Sequence, residues 1–97
     1  MFAKFADKTK VEKLLEKDAT LVDMRSPVAF RNGSIEGSVN LPLKNFLNRL
    51  PGLDKNKGLI LFSDAKNHPD VTSAINYAAQ LGFSNIFVSE YNTLKDK

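Results

Sequence analysis

Apolar positions along the chain fall into two kinds of run, one at helical spacing and one nearly unbroken, and the two kinds alternate. Val11, Leu14 and Leu15 recur at three- and four-residue intervals with Lys and Glu between them, so residues 9–17 are expected to form a short amphipathic helix. Residues 20–24 (TLVDM) read as a brief buried strand that runs directly into Arg25, Ser26 and Pro27. Ser26 as N-cap and Pro27 as first helical residue start a second short helix, and Gly33 stops it after residues 28–32. Residues 38–41 (SVNL) suit a short strand ahead of Pro42, after which Leu43, Phe46, Leu47 and Leu50 return to helical spacing until Pro51 and Gly52. Residues 58–62 (GLILF) are apolar, too short for a helix and bounded by polar residues, as expected of a central strand covered on both faces. Asp70 is expected to cap the next helix, whose stripe of Val71, Ala74, Ile75, Ala78 and Leu81 ends at Gly82. Residues 85–88 (NIFV) supply another strand.

Strands alternating with short helices imply an α/β fold, with a mostly parallel sheet of about four to five strands and helices on both faces. No repeat, linker or low-complexity stretch divides the 97 residues, so residues 1–97 are expected to form one domain. Ligands of such sheets bind beyond the carboxyl ends of the strands. The turn after Phe62, residues 63–70, is therefore the default site.

Composition narrows the functions that remain. Hydrophobic residues make up 42% and charged residues 26%, ordinary values for a folded chain and not for a disordered one. The net charge of +3 is scattered rather than gathered on one face, and no exposed aromatics are interleaved with it, so nucleic acid is not an expected partner. The N-terminal stretch carries charges from Lys4 onward and lacks the apolar run of a signal peptide, and no segment approaches the roughly 20 apolar residues of a membrane span. A cytoplasmic protein without membrane contact is expected. One histidine and scattered carboxylates make no metal site, and no cofactor motif is present. The chain contains no cysteine, which rules out disulfides, thiolate metal sites and any cysteine nucleophile.

The segment LVDMRSPVAF followed by NGSIEGSVNLPL resembles the rhodanese pattern, in which an Asp-Val-Arg-type strand end precedes a short helix and a Gly-His-Ile-Pro-Gly-Ala-x-Asn-type turn. The matching residues are Asp23, Arg25, Phe30, Gly33, Ile35, Gly37, Asn40 and Pro42; Ser34 and Glu36 depart from the usual His and Pro. Further on, LILF, the helix ending QLGF and the strand NIFV resemble the family's catalytic strand, the following helix and the last core strand, so the resemblance covers about residues 5–88. Beyond it, Tyr91, Asn92 and Thr93 stand where the family often has paired glycines, and the usual last segment is expected to be missing. Independently of the family, Asp23 and Arg25 flank a strand end, where their charge-assisted hydrogen bonds are expected to hold the turn 33–40. Gly33 and Gly37 are expected to supply backbone angles costly for other residues.

The resemblance implies that the residue after LILF is the nucleophile of a sulfurtransferase: a cysteine whose thiolate and persulfide are stabilised by a six-residue loop of backbone amides and a helix N-terminus. Here that residue is Ser63, whose hydroxyl forms no persulfide, so no catalytic residue is assigned. Serving as a serine nucleophile would require a base, and His68, in the same loop, has no evident orienting carboxylate. The loop is expected to be about two residues longer than the family's, and it lacks the Gly and Arg found there. Enlarged loops of this kind occur in rhodanese-fold phosphatases and arsenate reductases, which also need the cysteine and arginine missing here. Ser63, Asp64, Ala65, Lys66, Asn67, His68, Pro69, Asp70 and Val71 are the candidate binding residues, a degenerate loop with a small anion or a protein as its occupant. Three functions remain: a catalytically inactive rhodanese-like binding or regulatory module, a rhodanese-type sulfurtransferase whose cysteine is replaced by Ser63, and an unrelated α/β module of receiver-like or thioredoxin-like type.

Overall fold

The computed structural model describes residues 3–95. Its elements in chain order are β1 (Ala3–Phe5), α1 (Lys8–Glu16), β2 (Thr20–Asp23), α2 (Pro27–Asn32), β3 (Ser38–Asn40), α3 (Leu43–Arg49) continued by a 3-10 turn (Leu50–Gly52), β4 (Leu59–Ser63), α4 (Pro69–Gln80), β5 (Ile86–Glu90) and α5 (Tyr91–Leu94). The strands form one five-stranded sheet in the order β1-β5-β4-β2-β3, and every pairing is parallel. The expected α/β architecture is thus the observed one, and no helix among the described residues is long and apolar enough to cross a membrane.

The strand order follows from burial. All five residues of β4 are buried, which requires a neighbour strand on each side and helices above and below. Leu59 and Leu61 point to one face, where Val22, Met24, Ile86 and Val88 meet Phe46 and Leu50 of the α3 segment and Val71, Ala74, Ile75 and Ala78 of α4. Ile60 and Phe62 point to the other, with Leu21, against Val11, Leu14 and Leu15 of α1 and Leu94 of α5. The period-two alternation of a strand sorts these side chains, and the two helical layers cover both faces of the sheet.

Local chemistry fixes the element ends. Asp7 caps α1 by accepting from the Lys10 amide at 2.9 Å, and Ser26 caps α2 by accepting from the Ala29 amide at 3.1 Å, with Pro27 at the first helical position as expected. Gly33 follows α2, but its φ of 173° is ordinary extended backbone, so the expected need for an unusual angle applies only to Gly37, at φ 88°. What requires glycine at position 33 is space: a Cβ there would lie 2.9 Å from the Tyr91 hydroxyl.

Two elements lie outside the sequence expectation. β1 spans three residues around Lys4, too short to show a pattern, and gains its place by pairing with β5 from Ala3↔Ile86 to Phe5↔Val88. α5 occupies the position where paired glycines are usual in the family, and its Leu94 is buried in the core beside α1.

Candidate functional site

At the carboxyl end of β2, Asp23 is fully buried and Arg25 nearly so. Arg25 Nε donates to Asp23 Oδ1 at 3.0 Å and Nη2 to Oδ2 at 2.8 Å, a forked pairing, while Nη2 also donates to the Gly33 carbonyl at 2.6 Å. The Arg25 amide donates to Asp23 Oδ1 as well, at 2.9 Å. From the far side of the turn, Asn40 Nδ2 donates to the carbonyls of Asp23 and Arg25 at 3.0 and 2.9 Å. The expected role of Asp23 and Arg25 in holding the turn 33–40 is what the geometry displays. The Tyr91 ring lies over the guanidinium, 3.8 Å from ring centroid to Cζ. Hydrogen bonding to Asp23 raises the Arg25 pKa above its ordinary value; burial works in the opposite direction, and the charges of Asp23, Tyr91 and Asp64 add to the rise.

The neighbouring strand β4 delivers Ser63 to the same end of the sheet. Ser63 is the last strand residue, not the first of a loop, and is only 3% exposed. It shares its strand face with Leu59 and Leu61, so its side chain lies on the α4 side. The chain then bends through Asp64 and Ala65, turns at Lys66 and Asn67, and enters α4 at Pro69. The helix begins one residue before Asp70. His68 is its cap: the imidazole Nδ1 accepts from the Asp70 amide at 3.0 Å, and Pro69 takes the first helical position, where a missing N–H costs nothing. Residues 64–68 separate Ser63 from the first helical residue, Pro69. The helix cap expected at Asp70 is thus His68.

That capping bond also defines His68. With Nδ1 accepting from the Asp70 amide, that nitrogen is a structural acceptor. Of the other expected binding residues, Asp64, Lys66, Asn67 and Pro69 are exposed and Ala65 and Asp70 partly so, whereas Val71 is fully buried in the core under α4. Val71 is accordingly a packing residue, and its side chain has no access to a ligand. The Lys66 ammonium lies 5.2 Å from the Phe5 ring centroid, on the β1 side of the loop.

Glu90 lies outside the expected site residues and belongs to it by geometry. It ends β5, directly opposite Ser63 in the β4–β5 register, and its Oε2 accepts from the Lys66 amide at 3.1 Å. The sequence signal was faint, since the apolar part of that strand stops at Val88 and a lone carboxylate two residues later announces no loop contact. The site thus gathers Ser63, Asp64, Lys66, His68 and Glu90 around the amino end of α4, with two carboxylates and no arginine in the loop.

Solved structures with this architecture include a rhodanese-related protein from Thermoplasma volcanium, 24% identical, with a TM-score of 0.71 over 90% of this chain and 83% of that one. The single-domain sulfurtransferase RDL2 of Saccharomyces cerevisiae is 19% identical, with a TM-score of 0.72 over 94% of this chain and 87% of the other. The CoADR-RHD protein of Bacillus anthracis is 20% identical, with a TM-score of 0.74 over 92% of this chain and 15% of its own length. At these identities the likeness is one of fold. No curated protein matches the sequence. The rhodanese-like domain model matches residues 7–91, from the residue that caps α1 to the tyrosine that covers Arg25. The strand-end pair, the turn behind it and the loop after β4 all fall within that span, and the chain belongs to the rhodanese-like domain family.

Proposed function

We propose that this domain is a catalytically inactive rhodanese-like module that works by binding, with the loop from Ser63 to Asp70 as its contact surface. The observation that carries this reading is Ser63 at the carboxyl end of the central strand, in a chain without any cysteine. In sulfur transfer a thiolate attacks the outer sulfur of thiosulfate, sulfite leaves with the bonding pair, and the persulfide then yields its sulfur to cyanide. A serine hydroxyl forms no persulfide and takes no part in that exchange.

Of the two expected occupants, a protein partner has better support than a small anion. Asp64 and Glu90 place negative charge around the amino end of α4, opposing the helix's preference for an anion, and Lys66 is drawn toward Phe5. The exposed residues Asp64, Lys66 and Asn67 form a protruding polar turn suited to a protein contact. A cytoplasmic location belongs to the same proposal.

One observation favours a second reading, a sulfurtransferase whose cysteine has been replaced. Ser63 ends the central strand and is followed by a turn that leads into α4, so a thiol at position 63 would stand where the family's nucleophile stands. Thiosulfate-to-cyanide transfer, measured for the chain as given beside Ser63→Cys, separates the two. Inactivity of both supports the binding module. Thiocyanate production by the cysteine variant alone supports the second reading, and production by the serine form would overturn both.

A further inference from the structure

The β4–β5 register places Ser63 and Glu90 side by side as the last residues of adjacent parallel strands. Both lie on the α4 face: Ser63 shares its parity with Leu59 and Leu61, and Glu90 shares its own with Ile86 and Val88, all four packed in the α4-side core. Parallel neighbours stand about 4.8 Å apart across the sheet, so the two side chains rise together under the loop. Ser63 is only 3% exposed. Glu90, half-buried, reaches across and takes the Lys66 amide. The ammonium of Lys66 is over Phe5, so the contact with Glu90 is made by the backbone alone.

We infer that Glu90 is the loop's own anion, a specificity-determining residue whose carboxylate holds a backbone amide and keeps tetrahedral oxyanions such as sulfate, thiosulfate and phosphate from the loop 63–70. The inference rests on the reading of residues 63–70 as a degenerate rhodanese loop. An entering oxyanion must displace a charge-assisted hydrogen bond and then lie against a carboxylate in a partly buried site, where like charges repel more strongly than in water. Glu90→Gln removes the repulsion and weakens the bond to the amide, and Glu90→Ala removes both obstacles. The Lys66 amide then becomes a donor that an incoming anion can take.

The test is a titration of the intact domain with sulfate and thiosulfate, followed by backbone amide shifts from Ser63 to Asp70, for the wild type, Glu90→Gln and Glu90→Ala. Glu90→Gln keeps an acceptor for the Lys66 amide while losing the charge, so it preserves the fold if Glu90→Ala loosens the loop. The expected result is no saturable shift in the wild type and saturable shifts at Lys66 and its neighbours in the variants, a gain in affinity of roughly tenfold or more for a lost charged contact. Equal binding by wild type and variants would overturn the inference, since the carboxylate would then exclude nothing. Absence of binding in all three would overturn it as well, since something other than Glu90 would bar the site. Neither failure bears on sulfur transfer, which the Ser63→Cys assay reads separately.

Discussion

The Tyr91 ring covers the Arg25 guanidinium at 3.8 Å, and so seals a charge that is already held by Asp23 from below. The pair is buried, with side-chain exposures of 7% for Arg25 and 0% for Asp23, and it joins β2 to the turn 33–40 through the Gly33 carbonyl. Removing one partner of such a pair leaves the other charge buried without compensation. Arg25→Leu is therefore expected to lower unfolding free energy by about 3–5 kcal/mol in a urea titration. Arg25→Lys should recover only part of this loss, because an ammonium does not reproduce the fork to Asp23 together with the bond to Gly33.

The direction of the Arg25 shift sets the pH dependence of that effect. Its pKa is raised by the Asp23 hydrogen bonds, so the stabilisation linked to its protonation is complete below the unfolded value and fades only as pH rises through the folded one. Both lie in the strongly alkaline range of arginine. The stability difference between wild type and Arg25→Leu should accordingly stay constant from about pH 6 to pH 9. A slope in that window would place the titration on some other group.

Gly33 and Gly37 are expected to fail differently when given a methyl group. At Gly33 the backbone is extended, and the cost comes from the Tyr91 hydroxyl 2.9 Å away, so Gly33→Ala should cost about 1–3 kcal/mol. Adding Tyr91→Phe removes the clashing oxygen and should return most of that loss. At Gly37 a Cβ has room, with Leu15 Cδ1 at 3.7 Å, but φ is 88°. Gly37→Ala should cost about 1 kcal/mol or more from backbone strain, and no change at Leu15 should rescue it. Chemical denaturation of the two singles and of Gly33→Ala/Tyr91→Phe distinguishes these causes.

His68 is a cap, and its substitution should behave as a cap substitution. His68→Ala frees the Asp70 amide and is expected to cost about 1 kcal/mol, while His68→Asn supplies a side-chain oxygen in the same place and should cost less. Loss of the cap should also raise amide exchange in the first turn of α4, where the end of a helix frays most readily.

Much of this fold was legible because the sequence punctuates its own elements. Ser26 and Pro27, the apolar run from Leu59 to Phe62, and the α4 stripe from Val71 to Leu81 each announced an element by local chemistry that the tertiary structure leaves in place. β1 was not legible, since three residues around Lys4 have no period and depend on β5 for their hydrogen bonds. The α4 cap was misplaced because Asp70 is the better capping residue by type, whereas Pro69 at the first helical position assigns the cap to His68. Ser63 was legible by its place after LILF. Glu90 was not, because its role comes from a strand register, which brings residues 27 positions apart in the chain together.

The central claim is that the loop no longer supports sulfur chemistry even when its nucleophile is supplied. This claim rests on charge: Glu90 beside position 63, Asp64 next to it in the chain, and no arginine in the loop. Carboxylates this close disfavour a thiolate and raise the pKa of a thiol. The direct measurement is incubation of Ser63→Cys with excess thiosulfate near neutral pH, followed by intact-mass detection of a sulfur atom added to the introduced thiol. The account predicts the unmodified thiol, with its fold intact; a stoichiometric persulfide, discharged by cyanide, would contradict it.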